Sequence, residues 1–151
     1  MSKISTIYEN IRTIVSTTLD SEYRELANAF DLEDNDELNL VKGWSVVPGP
    51  GDNTHRLICG KQSHLQQFAI PLTRLLTATD HDITAKNTII KDLLEDQQKI
   101  AMAFEQDPQL GNTTATNIHV GHSAVEYLQG DNDKFLLLVI AVSTEYFENI
   151  T

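Results

Sequence analysis

The sequence predicts an α+β domain: a mostly antiparallel mixed sheet with a long hairpin and helices packed on one face. Three observations predict it. The chain closes on an unbroken apolar run, Phe135 to Val142, rich in β-branched residues. A helix-period stretch of more than twenty residues, about 83–105, lies in mid-chain. Between residues 43 and 74, three strand-like segments are separated by turn residues, as hairpins are. With 151 residues, the simplest organisation is one domain, 1–151, long enough to bury a sizeable core.

The opening segment carries Ile4, Ile7, Tyr8, Ile11, Ile14 and Val15 at spacings of three and four. This is one face of an amphipathic helix, residues 2–18, with Ser2 or Ser5 as its cap. Asp20 and Ser21 open a short second helix, with Tyr23, Leu26, Ala27 and Phe30 at i, i+3, i+4 and i+7. The acidic run Asp31, Glu33, Asp34, Asp36 and Glu37 is then a solvated loop.

Gly43 to Val47 is a strand. Pro48-Gly49-Pro50-Gly51-Asp52-Asn53-Thr54 interrupts it as a loop, since two prolines remove donors and two glycines permit unusual φ. His55 to Gly60 is the returning strand, Lys61-Gln62-Ser63 a second turn, and His64 to Arg74 a third strand. Pro71 places that strand at an edge, or breaks it there.

Asp82 caps the long helix, whose buried stripe is Ile83, Ile90, Leu93, Leu94, Gln97, Ile100, Ala101 and Phe104. Lys91, Asp92, Glu95 and Lys99 face the other way. Pro108 and Gly111 mark its exit. Thr114 to Leu128 alternates as a strand kinked near Gly121. A turn at Gln129 to Asp133 leads into the closing strand, Phe135 to Glu148, which should be central and buried on both faces before it emerges from Ser143 onward.

Composition narrows the function. Twenty-two acids against 11 bases give a net charge of −11, which argues against general nucleic-acid binding. Residues 1–41 alone hold nine acids and three bases. Cys59 is the sole cysteine, so neither an intrachain disulfide nor a paired-cysteine zinc site can form. No long apolar core follows Lys3, so neither a signal peptide nor a membrane anchor is expected.

No segment carries a convincing active site. The acidic run lacks the in-register glycine of an EF-hand. His119 and His122, three positions apart on a strand, point to opposite faces. In Asp80-His81-Asp82, Asp82 is accounted for as the helix cap and Asp80 and His81 as loop residues. Cys59 has no nearby histidine in sequence and lies in an expected strand, where a nucleophile does not usually sit. Gly49-Pro50-Gly51 lacks an amide that a phosphate loop would use. Arg56, Lys61, Arg74 and Trp44 make only a sparse basic-aromatic group. No enzyme activity, metal or cofactor is expected, and an interaction protein is the default.

Several phrases carry a family likeness: Ile4-Tyr8-Ile11 in the opening helix, Tyr23 to Asn35, Lys42-Gly43-Trp44 through Thr54, Phe68 to Arg74, Lys91 to Asp96, and the ending Glu145-Tyr146-Phe147-Glu148. In order and wording, over nearly the whole chain, they resemble the tail terminator (tail completion) proteins of long-tailed bacteriophages. The resemblance implies a structural virion protein of the phage neck, assembled in the host cytoplasm. Such a protein forms a homo-hexameric ring that caps the tail tube and ends tube elongation. It joins the tail to the head-side connector or stopper protein, while genomic DNA passes through without specific binding. It implies no membrane partner.

Two other readings stand beside it: a head-completion or stopper-type neck protein, and a small non-viral α+β binding module. On the family reading, the candidate inter-subunit or tube contacts are Pro48, Gly49, Pro50, Gly51, Asp52, Asn53, Thr54 and His55 in the hairpin. With them go Glu145, Tyr146, Phe147 and Glu148 at the chain end.

Overall fold

The computed structural model describes residues 3–26, 42–58, 60–76, 83–107, 115–129 and 134–149. Residues 31–37, 80–82, 108, 111 and 130–133, and with them the expected acidic loop, the Asp80-His81-Asp82 cap, the helix exit and most of the last turn, lie outside these. So does Cys59.

The first helix, α1, runs from Lys3 to Thr18. Its apolar period works as expected: Ile7, Ile11 and Val15 are wholly buried. Its β-branched C-terminal turns are accommodated by hydroxyls that bond back along the helix, Thr13 Oγ1 to the Glu9 carbonyl (3.0 Å) and Thr18 Oγ1 to that of Ile14 (2.6 Å).

The second helix expected to open at Asp20 and Ser21 is absent over the described residues 20–26. Tyr23–Glu25 is instead a strand, β1, paired in parallel with β2, Lys42–Trp44. Asp20 turns the chain there: its carboxylate accepts from the Glu22 amide (2.9 Å) and its carbonyl from the Tyr23 amide (3.2 Å). The Leu26 amide then reaches the Trp44 carbonyl (2.8 Å), so pairing overrides the weak helical period.

The proline- and glycine-rich stretch is not a loop. It lies within β3, Val47–Ile58, which pairs antiparallel with β4, Lys61–Leu76. Three features make this possible. The ladder register shifts between Pro48 and Gly51, so Pro50 falls in a bulge. Gln66 Nε2 donates to the Gly49 carbonyl (2.8 Å), which keeps that group satisfied. At Gly51 a Cβ would stand 2.7 Å from Gln66 Oε1 and 2.9 Å from the Leu65 carbonyl, so only glycine lets the strands approach this closely. The hairpin turns between Ile58 and Lys61, where Gly60 takes φ +74°. Lys61 to Ser63, expected as a turn, is the start of β4.

β4 is an internal strand, not an edge, with β7 (Lys134–Asn149) on one side and β2 and β3 on the other. Pro71 sits opposite the break between β2 and β3, the place on β4 where the ladder is interrupted. The long helix, α2, spans Ile83–Gln106. Leu93, Ile100 and Phe104 form its buried line, whereas Ile83 is 78% exposed and Leu94 is exposed. Each residue turns the helix by about 100°, which carries Leu94 off the line that Leu93 defines. Asp92 was expected to face solvent but pairs with Arg74.

The kink expected at Gly121 is a break two residues later, between β5 (Ala115–His122) and β6 (Glu126–Gln129). Both segments pair with β7. Ser123 bridges the gap, its amide donating to the Val139 carbonyl (2.8 Å) and its hydroxyl accepting from the Val139 amide (3.0 Å).

The result is an α+β fold: a seven-stranded sheet, antiparallel except for the β1–β2 pair, among the described residues. Both helices lie on one face. Their buried residues meet Phe68, Ile70 and Leu72 of β4 and Leu136, Leu138, Ile140 and Val142 of β7 in one core cluster. The closing strand is central, as expected, but both of its faces are buried only from Phe135 to Leu138. Beyond that, the face opposite the helices opens: Ala141 is exposed, and Val139, Ser143 and Glu145 are half-buried.

Candidate functional site

The two segments proposed as contacts are about ninety residues apart in sequence, yet the ladder brings them to one end of the sheet. Cross-strand rows make the connection: Asp52–Leu65–Glu145, Asn53–His64–Tyr146 and Thr54–Ser63–Phe147 run across β3, β4 and β7. In the middle row the His64 ring stacks on Tyr146, with centroids 5.1 Å apart and planes 15° from parallel. His64 Nδ1 is also hydrogen-bonded to Asn53 Oδ1. Burial, and then the nearby Glu148 carboxylate, raise the pKa of the Tyr146 hydroxyl.

The start of α1 fastens this end of the sheet. Lys3 Nζ donates to the Phe147 carbonyl (2.6 Å), and the Lys3 amide donates to Glu148 Oε1 (3.2 Å). Exposure divides the candidates. Pro48, Pro50, Gly51, Asp52 and Asn53 are exposed; Gly49, Glu145, Phe147 and Glu148 are half-buried. Tyr146 belongs to the core cluster. Thr54 and His55 are extended in β3, and their side chains lie outside what the structure describes.

The sheet has open sides. Among the described residues, β3 pairs only with β4, and β5 and β6 pair only with β7. Such edges carry unused backbone donors and acceptors. Chemically, this surface offers hydrogen-bonding edges, a few acids and small apolar patches.

The other candidates separate. His119 and His122 point to opposite faces, in register with Ser143 and Ile140. Among the described residues, no group of three or more His, Cys, Asp or Glu is placed to hold a metal ion. The basic-aromatic group is not a surface patch: Trp44 is buried, and Arg74 lies against Asp92 and Asp96. The side chains of Arg56 and Lys61 lie outside the described ones.

Sequence reasoning missed two features. One is the polar network under β1. Tyr23 Oη donates to Asp96 Oδ2 (2.6 Å), and the buried Arg74 guanidinium lies 3.9 Å from the same oxygen and 3.7 Å from Asp92. Burial raises the Tyr23 pKa, and the bond to Asp96 raises it further. The i, i+4 spacing of Asp92 and Asp96 was the available signal. The other is a cleft of ≈ 380 Å³ between α2 and β5, lined by Ala101, Phe104, Glu105, Ile118, His119 and Val120.

No helix among the described residues is long and apolar enough to cross a membrane. The chain matches no protein-family model and no curated protein. Among solved structures, it is similar to a chain in the virion of a native gene transfer agent particle. The likeness covers 94% of this chain and 92% of that one, at 8% sequence identity and a TM-score of 0.39.

Proposed function

We propose that the protein is a structural component of a phage neck, forming a ring that caps the tail tube and joins it to the head-side connector. Its activity is assembly, not catalysis. The observation that carries this reading is the convergence of Asp52 to Thr54 and Glu145 to Phe147 on one end of an open-edged sheet. They lie in phrases on which the sequence resembles tail terminator proteins. A ring built from one kind of chain needs two different surfaces that meet head to tail. This sheet offers one at its β3 side and another at its β5 side.

DNA passing through the ring should not bind it, which fits a net charge of −11. The test is multi-angle light scattering of the purified protein, alone and with tail tubes, followed by electron microscopy of the mixture. Closed rings or capped tube ends are expected. A monomer at all concentrations that leaves tube ends bare would overturn the reading.

A further inference from the structure

From Asn117 to His122 the register of β5 with β7 is unbroken, Asn117 opposite Glu145 and His122 opposite Ile140. The Ser123 amide donates to the Val139 carbonyl (2.8 Å), one step further along the same register. Bonding alternates along an antiparallel ladder, so Gly121, His119 and Asn117 also bond to β7. Ile118, Val120 and His122 therefore turn their amides and carbonyls away from β7, to a side where no described strand lies. From Ala115 to His122 there is no proline and no Asp, Glu, Lys or Arg. This edge lacks two of the usual devices that keep a strand from pairing.

The same residues build the cleft beside α2. The side chains of Ile118 and Val120 lie on the helix side of the sheet, packed against the core cluster. With Ala101 and Phe104 they make the apolar part of the lining, and Glu105 and His119 make the polar part. Leu94, seven residues before Ala101 and so on the same flank of α2, is 41% exposed. Nearer the helix start, Lys86 Nζ stands 5.9 Å from the ring centre of Tyr127 in β6, so this flank continues along the edge past His122. A strand edge beside a helix, with a mixed lining, suits an extended chain: its backbone bonds to the strand and its alternate side chains turn toward the helix.

The occupant follows from length and charge. This chain is a poor donor to itself: of its other described strands with a free edge, β1 has three residues, β6 has four, and β3 carries Pro48 and Pro50. Two copies of net charge −11 also repel each other. The flanks of the edge are acidic, with Glu105 on α2 and Glu126 on β6 both exposed.

We propose that β5 and α2 form a groove that binds an extended, basic segment of a different protein. The segment joins the sheet as an edge strand, with one apolar side chain in the cleft and a Lys or Arg beside Glu105. The inference stands apart from the ring: β6, with Tyr127 63% exposed, remains on that side of the sheet for contact between copies.

The probes are fluorescein-labelled decapeptides that alternate valine, leucine or phenylalanine with lysine, titrated with the full chain and read by fluorescence anisotropy. Each peptide that binds is remade with N-methyl groups on alternate amides, in both possible registers. A strand on β5 shows only every second amide to it, so one register should lose binding and the other keep it. His122→Pro removes an outward amide without taking a bond from β7 and should weaken binding about fivefold. Glu105→Lys should weaken it about tenfold. Hydrogen exchange on the wild-type chain should show the amides of Ile118, Val120 and His122 protected by bound peptide. Failure of every peptide to bind, equal loss in both N-methyl registers, or a bound peptide that leaves those amides unprotected would overturn the groove. Protection that rises with protein concentration alone would assign the edge to a second copy and overturn the proposed occupant. Register-dependent binding by a protein that never forms rings would support the groove and overturn only the ring.

Discussion

Tyr23 gives the sharpest test of how β1 is held. Its hydroxyl donates to Asp96 Oδ2 at 2.6 Å in a site where the tyrosine is only 7% exposed. Tyr23→Phe keeps the ring and removes the donor. A hydrogen bond to a charged group is worth about 1.5–3 kcal/mol, and the carboxylate left behind has little water to replace it. For a chain of this size, that loss lowers the melting temperature by about 3–12 °C.

The same bond predicts a pH signature. The folded-state pKa of Tyr23 lies above its unfolded value of about 10, because burial and Asp96 both favour the neutral phenol. Its contribution is therefore fully present below the unfolded pKa and is lost as pH rises toward the folded one. Above pH 10 the unfolded chain releases a proton that the folded chain keeps, so stability falls by about 1.4 kcal/mol per pH unit from this group alone. Urea denaturation followed by circular dichroism, at pH 7 and at half-unit steps from 9.5 to 11, would measure both effects. The phenylalanine variant should be less stable at pH 7 and should lose less stability above pH 10 than wild type. Equal stability at pH 7, or parallel pH profiles above 10, would refute the argument that this buried bond anchors β1 to α2.

Two further substitutions test the sheet. Ile140→Ala empties a wholly buried position at the centre of β7 and should cost about 2–5 kcal/mol, read as a lower urea midpoint. Gly60→Ala places a Cβ on a residue with φ +74° and should cost about 1–2 kcal/mol. A Cβ there would meet nothing within 4 Å, so Gly60→Asn, which tolerates this conformation better, should recover part of that loss in the same melt.

What could be read from sequence alone was whatever depended on local period. Ile7, Ile11 and Val15 repeat at helical spacing and are buried together, and the apolar run from Phe135 marked the central strand. What could not be read depended on a partner elsewhere in the chain. Pro48 to Thr54 has the composition of a loop. It is a strand because β4 lies beside it, and Gly51 is needed only because Gln66 and Leu65 come so close. Tyr23 to Glu25 has a weak helical period that loses to pairing with β2, seventeen or more residues on. The outer face of β7 past Leu138 could not be distinguished from its inner face in a run where every residue is apolar. The candidate contacts were named as two separate stretches; their meeting on one end of the sheet follows from the register of three strands, which no single stretch encodes.

Open sheet edges raise a problem that the proposed ring would have to solve. Strands can be added to a free edge without limit, and such addition produces fibres. The β3 edge is poorly suited to it. Pro48 and Pro50 supply no amide donors, and the shift between Pro48 and Gly51 breaks the even spacing that a new strand would need. The net charge of −11 adds long-range repulsion between copies. In the proposed ring, contact between subunits would then be better made by side chains at a defined place than by extending the ladder. A contact of that kind fixes one angle between neighbours, and a fixed angle is what lets a head-to-tail assembly close. The prolines that made the hairpin look like a loop therefore have a structural role in the strand: they leave it paired on one side and unsuited to indefinite pairing on the other.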